Sequence, residues 1–378
     1  MAHSTTNYQQ EPPRYDLSDT GEFVIANYNN AKPFSSFFPG IAGLNGIPMW
    51  VFYVNRGQAI SGMGIQDKDH PIMEFLPANW AYSLVTRQGF RTFLKISGDT
   101  LPDFYEPFQN HYRDLRLDRE QRMTIAPSHM SIEEVNHTLN LAFSVDYFTV
   151  PQDSFAGLVR RLRIQNLGSK AVSLEGLDGL PLIVPYGVDN YCLKNMRRTI
   201  EAFVEVVNLE SKAPFFKAKV EPADRPDVQR ITRGNFYIGF EIDGAEARLI
   251  PTVVDPTRIF GAQCDYGFPE QFLSPSAMDI TTDQILENQF PSAMGLFSAT
   301  VAPKEQYTYA SIIGHASSVE QLNSMIPRIS KQSYLESAAQ TNREIIEQLT
   351  QHNFICSGEP ALDHYVRQNF LDNVQRGG

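Results

Sequence analysis

The chain has 378 residues, of which 42% are hydrophobic and 20% are charged, a composition typical of a folded globular protein. Its formal net charge of -11, without a long run of Lys or Arg, argues against binding of nucleic acid. It contains no uninterrupted apolar stretch of about 18 residues, and its first residues lack the basic and apolar parts of a secretion signal. We therefore expect a cytoplasmic protein with no nucleic-acid partner and no membrane partner.

The three cysteines lie far apart, at Cys192, Cys264 and Cys356. Their spacing does not match a zinc site, and an odd number leaves one thiol outside any disulfide scheme. Reduced cysteines fit the cytoplasm. The sequence thus predicts no bound metal and no cofactor.

Residues 1–20 are polar and contain prolines, so we expect a flexible N-terminal tail. From residue 21 to 327, short apolar runs of period two predict β-strands, most clearly from Leu139 to Tyr147 and from Phe236 to Ile242. Further strands are expected at residues 23–27, 49–54, 90–96, 158–164, 171–177, 200–207, 247–253, 296–301 and 307–313. So many strands with few helices predict a mainly β fold, a large two-sheet antiparallel β-sandwich.

Around residue 160 the pattern indicates a sheet with one face toward solvent. Arg160, Leu162 and Ile164 alternate with Arg161 and Arg163. The connection at residues 166–170 is short and contains a glycine, which is typical of a hairpin between neighbouring strands.

Two segments are rich in residues that bind ligands. Residues 37–69 combine glycines, aromatic side chains and polar residues, and this mixture has two interpretations. It is either a tight β-meander with an aromatic core or a surface that stacks and hydrogen-bonds sugars. Residues 178–199 contain two prolines and two glycines and predict a long loop. That loop either meets a polyhydroxylated or anionic ligand or seals an edge of the sandwich.

Other polar groups suggest no catalytic machinery. We interpret Glu133, Glu134 and His137 as a solvated turn, because His137 has no second His or Cys at metal-binding spacing. His315 lacks sequence neighbours that would form a catalytic triad. We therefore expect no catalytic residue within this chain.

The last 50 residues change from β to helical periodicity. Apolar residues at intervals of three and four predict a helix from Ser330 to about Gln351, which would form a linker over residues 328–352. A second amphipathic helix is expected from residue 360, with an apolar face at Leu362, Val366, Phe370 and Val374. We expect a further domain to cover that face, so the chain is interpreted as the front part of a longer protein.

Several motifs in order along the chain resemble the N-terminal region of inverting glycoside phosphorylases of the cellobiose phosphorylase class. These are residues 198–203 (RTIEAF), 260–269 (FGAQCDYGFP), 288–295 (NQFPSAMG), 301–307 (VAPKEQY) and 311–316 (SIIGHA). The resemblance extends from about residue 20 to 378. Residues 369–375 (NFLDNVQ) lack the Trp and Tyr found at the barrel entry of disaccharide phosphorylases, which favours the β-oligoglucan phosphorylases.

The resemblance implies a supersandwich, a helical linker and then the first helix of a truncated (α/α)6 barrel over residues 353–378. In that family the barrel carries the aspartate general acid, and inorganic phosphate is a co-substrate that replaces the water of an inverting hydrolase. Asp363 and Asp372 do not match that aspartate. The implied function is phosphorolysis of β-glucosidic bonds in oligosaccharides to give a sugar 1-phosphate, with the chain inactive on its own.

The implied partners are a β-linked oligosaccharide, the chain's own C-terminal catalytic barrel and a second copy in a homodimer. Loops of the sandwich would face the barrel and position sugar by hydrogen bonds rather than transfer protons. The residues expected there are Asn55, Arg56, Asp67, Lys68, Tyr186, Asn190, Lys194 and Arg197.

Two alternatives remain open. In the first, the chain is a free-standing carbohydrate-binding β-sandwich, which predicts an exposed aromatic platform. In the second, it is the front domain of a sandwich-plus-barrel hydrolase or lyase. Dependence of activity on phosphate separates a phosphorylase from the last of these.

Overall fold

Period-two strands dominate the molecule and pair into antiparallel sheets. The computed structural model describes residues 11–38, 41–43, 49–97, 104–110, 117–222, 226–243, 246–274, 279–351 and 355–376. Within this part of the chain the fold is mainly β with a few helices, which confirms the predicted β-sandwich class.

The largest sheet has eleven strands within the described residues. Its strands, in spatial order, are β1 (Arg14–Leu17), β2 (Phe23–Ala26), β9 (Arg119–Ile125), β10 (Met130–Asn136), β11 (Leu141–Thr149), β12 (Ala156–Asn166), β20 (Gln306–Ala316), β16 (Gly234–Asp243), β15 (Phe215–Ala218) and β14 (Val204–Val207), with β17 (Glu246–Leu249) paired to β16.

Two smaller sheets form the facing layer. The first contains β18 (Thr252–Val253), β19 (Ala293–Val301), β13 (Val172–Leu180), β7 (Arg91–Ser97) and β8 (Phe104–Tyr105). The second is a meander of β3 (Ser35–Phe37), β4 (Met49–Val54), β5 (Ile60–Ile65) and β6 (Pro71–Met73).

The main core lies between the large sheet and this facing layer. Leu162 of the large sheet, Leu94 of the five-stranded sheet (β18, β19, β13, β7 and β8) and Met63 of the meander are all fully buried in one apolar cluster. The inward residues sit at alternate positions along each strand because side chains of a pleated strand point to opposite faces. Burial of this continuous surface is the principal force that holds the three sheets together.

Helices cover parts of the outer faces. They are α1 (Ala78–Gln88), α2 (Asn190–Asn195), α3 (Thr257–Phe260), α4 (Glu270–Leu273), α5 (Val319–Ile329), α6 (Gln332–Gln351) and α7 (Pro360–Arg376). Leu322 of α5 and Leu335 of α6 pack on Ile238 and Ile312 of the large sheet. Phe260 of α3 and Phe272 of α4 pack on the five-stranded sheet. None of the described helices is both long enough and apolar enough to cross a membrane.

Strand β10 corrects the expected solvated turn for Glu133 and Glu134, which lie in the strand, whereas His137 lies in an exposed turn as predicted. Met130–Asn136 pairs with both β9 and β11, and Glu134 is fully buried. Its carboxylate accepts hydrogen bonds from the Phe108 backbone N–H at 2.9 Å and from Gln121 Nε2 at 2.7 Å, and it contacts the Tyr105 hydroxyl. Burial raises the pKa of this carboxyl group, and the nearby Arg119 and these hydrogen bonds oppose the rise. The carboxylate of Glu134 is thus hydrogen-bonded in the interior, where the sequence predicted a solvated position.

The predicted hairpin at residues 166–170 is also wrong. β12 belongs to the large sheet and β13 to the facing layer, so the connection crosses between layers. Asn166 stabilises this corner, since its Oδ1 accepts the Gly168 N–H at 2.9 Å and its Nδ2 donates to the Lys170 carbonyl at 2.7 Å. A short Gly-containing turn suits either geometry, which is why its composition did not reveal the crossing.

The ends of the chain differ from expectation in detail. Arg14–Leu17, within the expected tail, forms an edge strand on β2, whereas residues 1–10 lie outside the described part. The predicted helix at 330–351 is confirmed as α6, and α5 precedes it with Pro327 inside its last turn. On α7, Leu362 and Val374 are exposed. Residues 352–354 and 377–378 lie outside the described residues, and the domain boundaries and the barrel start remain predictions.

A buried ion pair joins the two layers. Arg160 of β12 and Asp178 of β13 are both fully buried, with Nη2 and Oδ2 separated by 3.0 Å. Thr92 Oγ1 of β7 donates to the same carboxylate oxygen at 2.7 Å, and Gln58 contacts the guanidinium from the β4–β5 turn. The rings of Phe90 and Tyr147 lie within 5.4 and 5.8 Å of the Arg160 Cζ. All three sheets therefore meet at one desolvated charge pair.

Replacement of Asp178 by Ala leaves the Arg160 charge buried without a counter-ion, so we expect a loss of about 3–5 kcal/mol in the free energy of unfolding. Urea denaturation measures this loss. The matched control is Glu133→Ala, which breaks the Arg122–Glu133 pair, where both side chains are exposed, and should cost about 1 kcal/mol or less. Equal losses in the two variants would contradict a central role for the buried pair.

Candidate functional site

Asn235 gathers several chain segments at one end of the large sheet. It lies at the start of β16, opposite His315 of β20, and is 1% exposed. Its Nδ2 donates to the Val184 carbonyl at 2.8 Å and lies 3.4 Å from the Pro71 carbonyl oxygen. Its Oδ1 lies 3.4 Å from Nδ1 of His315. One buried amide thereby ties the β6 end of the meander and the segment after β13 to the large sheet.

Tyr186 and His315 form an aromatic pair at this end. Their ring centroids are 4.5 Å apart and the ring planes are tilted by 40°. Tyr186 is fixed by its backbone, because its N–H donates to the Phe216 carbonyl at 3.1 Å and its carbonyl accepts from the Ala218 N–H at 2.7 Å. Gly187 follows with a φ of +92°, a conformation that favours glycine and turns the chain away from β15.

The turn between β5 and β6 is organised by Asp67. Its Oδ1 accepts the backbone N–H groups of Asp69 at 2.8 Å and His70 at 3.1 Å, and it lies 2.8 Å from the His70 Nδ1. Partial burial acts to raise the pKa of Asp67, but the hydrogen bonds from His70 and the backbone outweigh it, so the pKa is lowered. Asp67 is therefore a firmly ionised partner for His70. Lys68 is exposed, with its Nζ 3.4 Å from Asp69.

Asn190 connects that turn to α2. Its Nδ2 donates to Asp69 Oδ1 at 3.2 Å, and its backbone N–H donates to the Asp69 carbonyl at 3.3 Å. The side chain of Asp189 caps α2 by accepting the Cys192 N–H at 2.7 Å. Asp67, Lys68, Tyr186 and Asn190, four of the residues expected from the sequence, are thus brought to the same end of the sandwich.

The electrostatics of this site are set by burial and by nearby cations. Burial, with the charges of Arg233 and His70, lowers the pKa of His315 to about 4, so its ring is neutral at physiological pH. Burial raises the pKa of Glu74, and the charge of Lys194 opposes the rise. Lys194 on α2 therefore lies close enough to Glu74 to act on it.

Asn55 and Arg56 lie elsewhere and serve the fold. Asn55 is fully buried, accepts the Phe34 N–H at 2.8 Å and donates to the Tyr28 and Lys32 carbonyls. The half-buried Arg56 donates to the Ala31 carbonyl at 2.8 Å, and burial lowers its pKa. These bonds use both N–H donors and one of the two acceptor positions of the Asn55 amide. Arg197 lies in a 3-10 helix at Arg197–Phe203, and its side chain lies outside the described part of the chain.

Sequence reasoning missed four members of the site. They are His70, Arg233, Asn235 and His315. His70 follows the expected Asp67 by three residues and Lys68 by two, so proximity along the chain was the available signal. The other three reach the site through pairing of β15, β16 and β20, which no local pattern reveals.

The arrangement offers the groups that bind a saccharide. The Tyr186–His315 pair provides an apolar face, and Asn190, Asp69 and Lys68 add hydrogen-bonding groups at the same end of the sandwich. Among the described residues, no group of three or more His, Cys, Asp or Glu side chains is placed to hold a metal ion.

No protein-family model matches the sequence, and no curated protein matches it. Among solved structures, a polysaccharide lyase matches with a TM-score of 0.37 and 11% identity, over 72% of this chain and 33% of the lyase. The chain therefore spans about a third of that enzyme. A protein of Synechocystis matches with a TM-score of 0.38 and 11% identity, over 76% of this chain and 97% of the Synechocystis protein. A galactose mutarotase-like protein of Clostridium acetobutylicum matches with a TM-score of 0.30 and 8% identity, over 81% of this chain and 98% of the mutarotase-like protein. These neighbours include carbohydrate-related β-rich proteins, but similarity this low does not identify the function of the chain.

The lowered pKa of His315 makes stability depend on pH. The unfolded chain takes up a proton near pH 6.5, whereas the folded chain does so only near pH 4, so stability falls as the pH drops between these values. We expect His315→Gln to remove about 2 kcal/mol of that decline, measured by urea unfolding across this range. Tyr186→Phe is the control, because this variant keeps an aromatic ring against His315 and leaves every histidine in place. Parallel curves for the wild type and His315→Gln would contradict the expectation.

Proposed function

We propose that this chain is the N-terminal sugar-binding and structural domain of a glycoside phosphorylase. The complete enzyme would cleave β-glucosidic bonds of oligosaccharides with inorganic phosphate and release a sugar 1-phosphate. The observation that carries the sugar-binding part is the meeting of the Tyr186–His315 ring pair with Asp67, Lys68 and Asn190 at one end of the sandwich. The phosphorylase part is supported by the ordered motifs between residues 198 and 316.

The role of the chain in this proposal is to position substrate. Tyr186 supplies a surface for a pyranose ring, and Asn190 with Lys68 supplies hydrogen bonds to its hydroxyls. Proton transfer belongs to an aspartate of a catalytic barrel beyond residue 378, and inorganic phosphate is the co-substrate. The proposed partners are a β-linked oligosaccharide, that barrel and a second copy of the chain in a homodimer. The proposed location is the cytoplasm.

A free-standing carbohydrate-binding β-sandwich is the second candidate. It is favoured by exposed aromatic side chains, since Tyr191 beside Asn190 is 68% exposed and Trp80 is 58% exposed. Exposed rings of this kind can stack on sugars without a partner domain. Activity of the complete gene product separates this candidate from the first.

Tyr186→Ala should weaken binding of cello-oligosaccharides about fivefold or more, because loss of one aromatic contact is worth about 1 kcal/mol. Isothermal titration calorimetry measures the affinity, and circular dichroism confirms that the variant is folded. Tyr186→Phe, which keeps the ring, should bind within about threefold of the wild type. Unchanged affinity in a folded Tyr186→Ala variant would refute sugar stacking at this site.

The complete gene product should release a sugar 1-phosphate from β-linked glucans only when inorganic phosphate is present, because phosphate is the proposed nucleophile. The chain of residues 1–378 alone should release no product, since it lacks the barrel. Product analysis by anion-exchange chromatography, with and without phosphate, tests both expectations. Equal release of free sugar without phosphate would instead indicate a hydrolase.

A further inference from the structure

We propose that the sandwich binds ordered water in its interior, beside the Arg160–Asp178 pair, and that the side chains of Arg160, Asp178 and Ser311 hold it. The inference does not rest on the proposed sugar binding. It follows from hydrogen-bonding positions that these buried side chains leave open between the two layers.

Unpartnered polar atoms are concentrated around the buried ion pair. Within the described residues, Nε and Nη1 of Arg160, Oδ1 of Asp178 and Oγ of Ser311 are buried and have no hydrogen-bond partner. All three side chains are fully buried. A buried polar group without a partner is costly, so several of them in one place indicate a partner that the protein itself does not supply.

Strand register brings the three side chains together. Ser311 of β20 lies directly opposite Arg160 of β12, so the two side chains share the inner face of the large sheet. Residues opposite each other in an antiparallel pair have Cβ atoms about 5 Å apart. Asp178 reaches the same place from the facing layer, with its Oδ2 3.0 Å from Nη2 of Arg160. The open positions of the three side chains therefore border one part of the core.

The surroundings of this place are small and polar. Gly239 follows Ser311 across the large sheet, and Gly295 follows Asp178 across the five-stranded sheet. Thr252, opposite Gly295, adds a buried hydroxyl that also has no partner among the described residues. The two layers thus face each other here through a polar strip. Buried water occupies polar sites of this kind, whereas apolar cavities stay dry.

The open donors and acceptors fit water better than an anion. Nε and Nη1 of Arg160 can only donate, the ionised Oδ1 of Asp178 can only accept, and Oγ of Ser311 can do both. A water molecule that accepts from Arg160 and donates to Asp178 and Ser311 satisfies all three side chains, and three bonds are usual for a buried water. An anion would meet the like charge of Asp178, which already neutralises Arg160.

A high-resolution crystal structure of the chain tests the site directly. We expect a water molecule within about 3.2 Å of Nε or Nη1 of Arg160 and of Oδ1 of Asp178 or Oγ of Ser311. A crystal soaked in sodium bromide distinguishes water from a bound anion, because bromide gives an anomalous signal. A bromide peak at the site, direct bonds from these atoms to other protein groups, or the lack of ordered density beside them would each overturn the inference.

Ser311→Val should displace this water, because valine removes the hydroxyl and adds a methyl group to the strip. Oxygen-17 magnetic relaxation dispersion counts the water molecules that stay inside a protein longer than it tumbles. We expect the count to fall by at least one in Ser311→Val. The control is Ser298→Val, which makes the same change at an exposed position of β19 and should leave the count unchanged. Equal counts in the wild type and a folded Ser311→Val would refute the role of Ser311, and the crystal structure decides the matter if that variant does not fold.

Discussion

The sandwich depends on one desolvated charge pair, Arg160 with Asp178, which links its two layers. A buried ion pair loses its hydration, and hydrogen bonds from Thr92 of β7 and Gln58 of the meander replace part of it. Within the described residues, Nε and Nη1 of Arg160 and Oδ1 of Asp178 have no hydrogen-bond partner. Gln58 lies in the β4–β5 turn, so the pair also fixes the meander against the large sheet. The far end of β5 then presents the turn that carries Asp67 and His70, and the position of the candidate site follows from the buried pair.

Many strand positions were predictable because one face of the strand is buried and the period of two is then visible in the sequence. The strand expected at residues 200–207 is an exception, since Arg197–Phe203 forms a 3-10 helix and the strand begins at Val204. Alternation also placed Arg160 inward with Leu162 and Ile164, which the structure confirms. Alternation does not indicate which strand lies opposite. The partner Asp178 lies on another sheet, and the turn between β12 and β13 gave no sign of a change of layer. The polar strand β10 was missed because Glu134 looks like a surface residue until its buried donors are known.

The candidate site was predictable only where its residues are close in sequence or carry an evident sugar-binding chemistry. Asp67, Lys68, Tyr186 and Asn190 met both conditions, and their segments were singled out for that reason. Asn55 has the same chemistry, but its amide bonds to the backbone of residues 28–34, a role that composition does not distinguish from ligand binding. Arg233, Asn235 and His315 join the site through strand pairing over long separations in sequence, so single-sequence reasoning had no access to them.

The amide of Asn235 has an effect on motion that reaches beyond the site. It holds the Val184 carbonyl and faces the Pro71 carbonyl, so the stretch leading to Tyr186 and the stretch leading from His70 share a single anchor. Opening of either stretch away from the sheet weakens the hold on the other. Backbone amides of residues 67–70 and 184–190 should then exchange with deuterium at matching rates, as one cooperative unit, while the flanking strands stay protected.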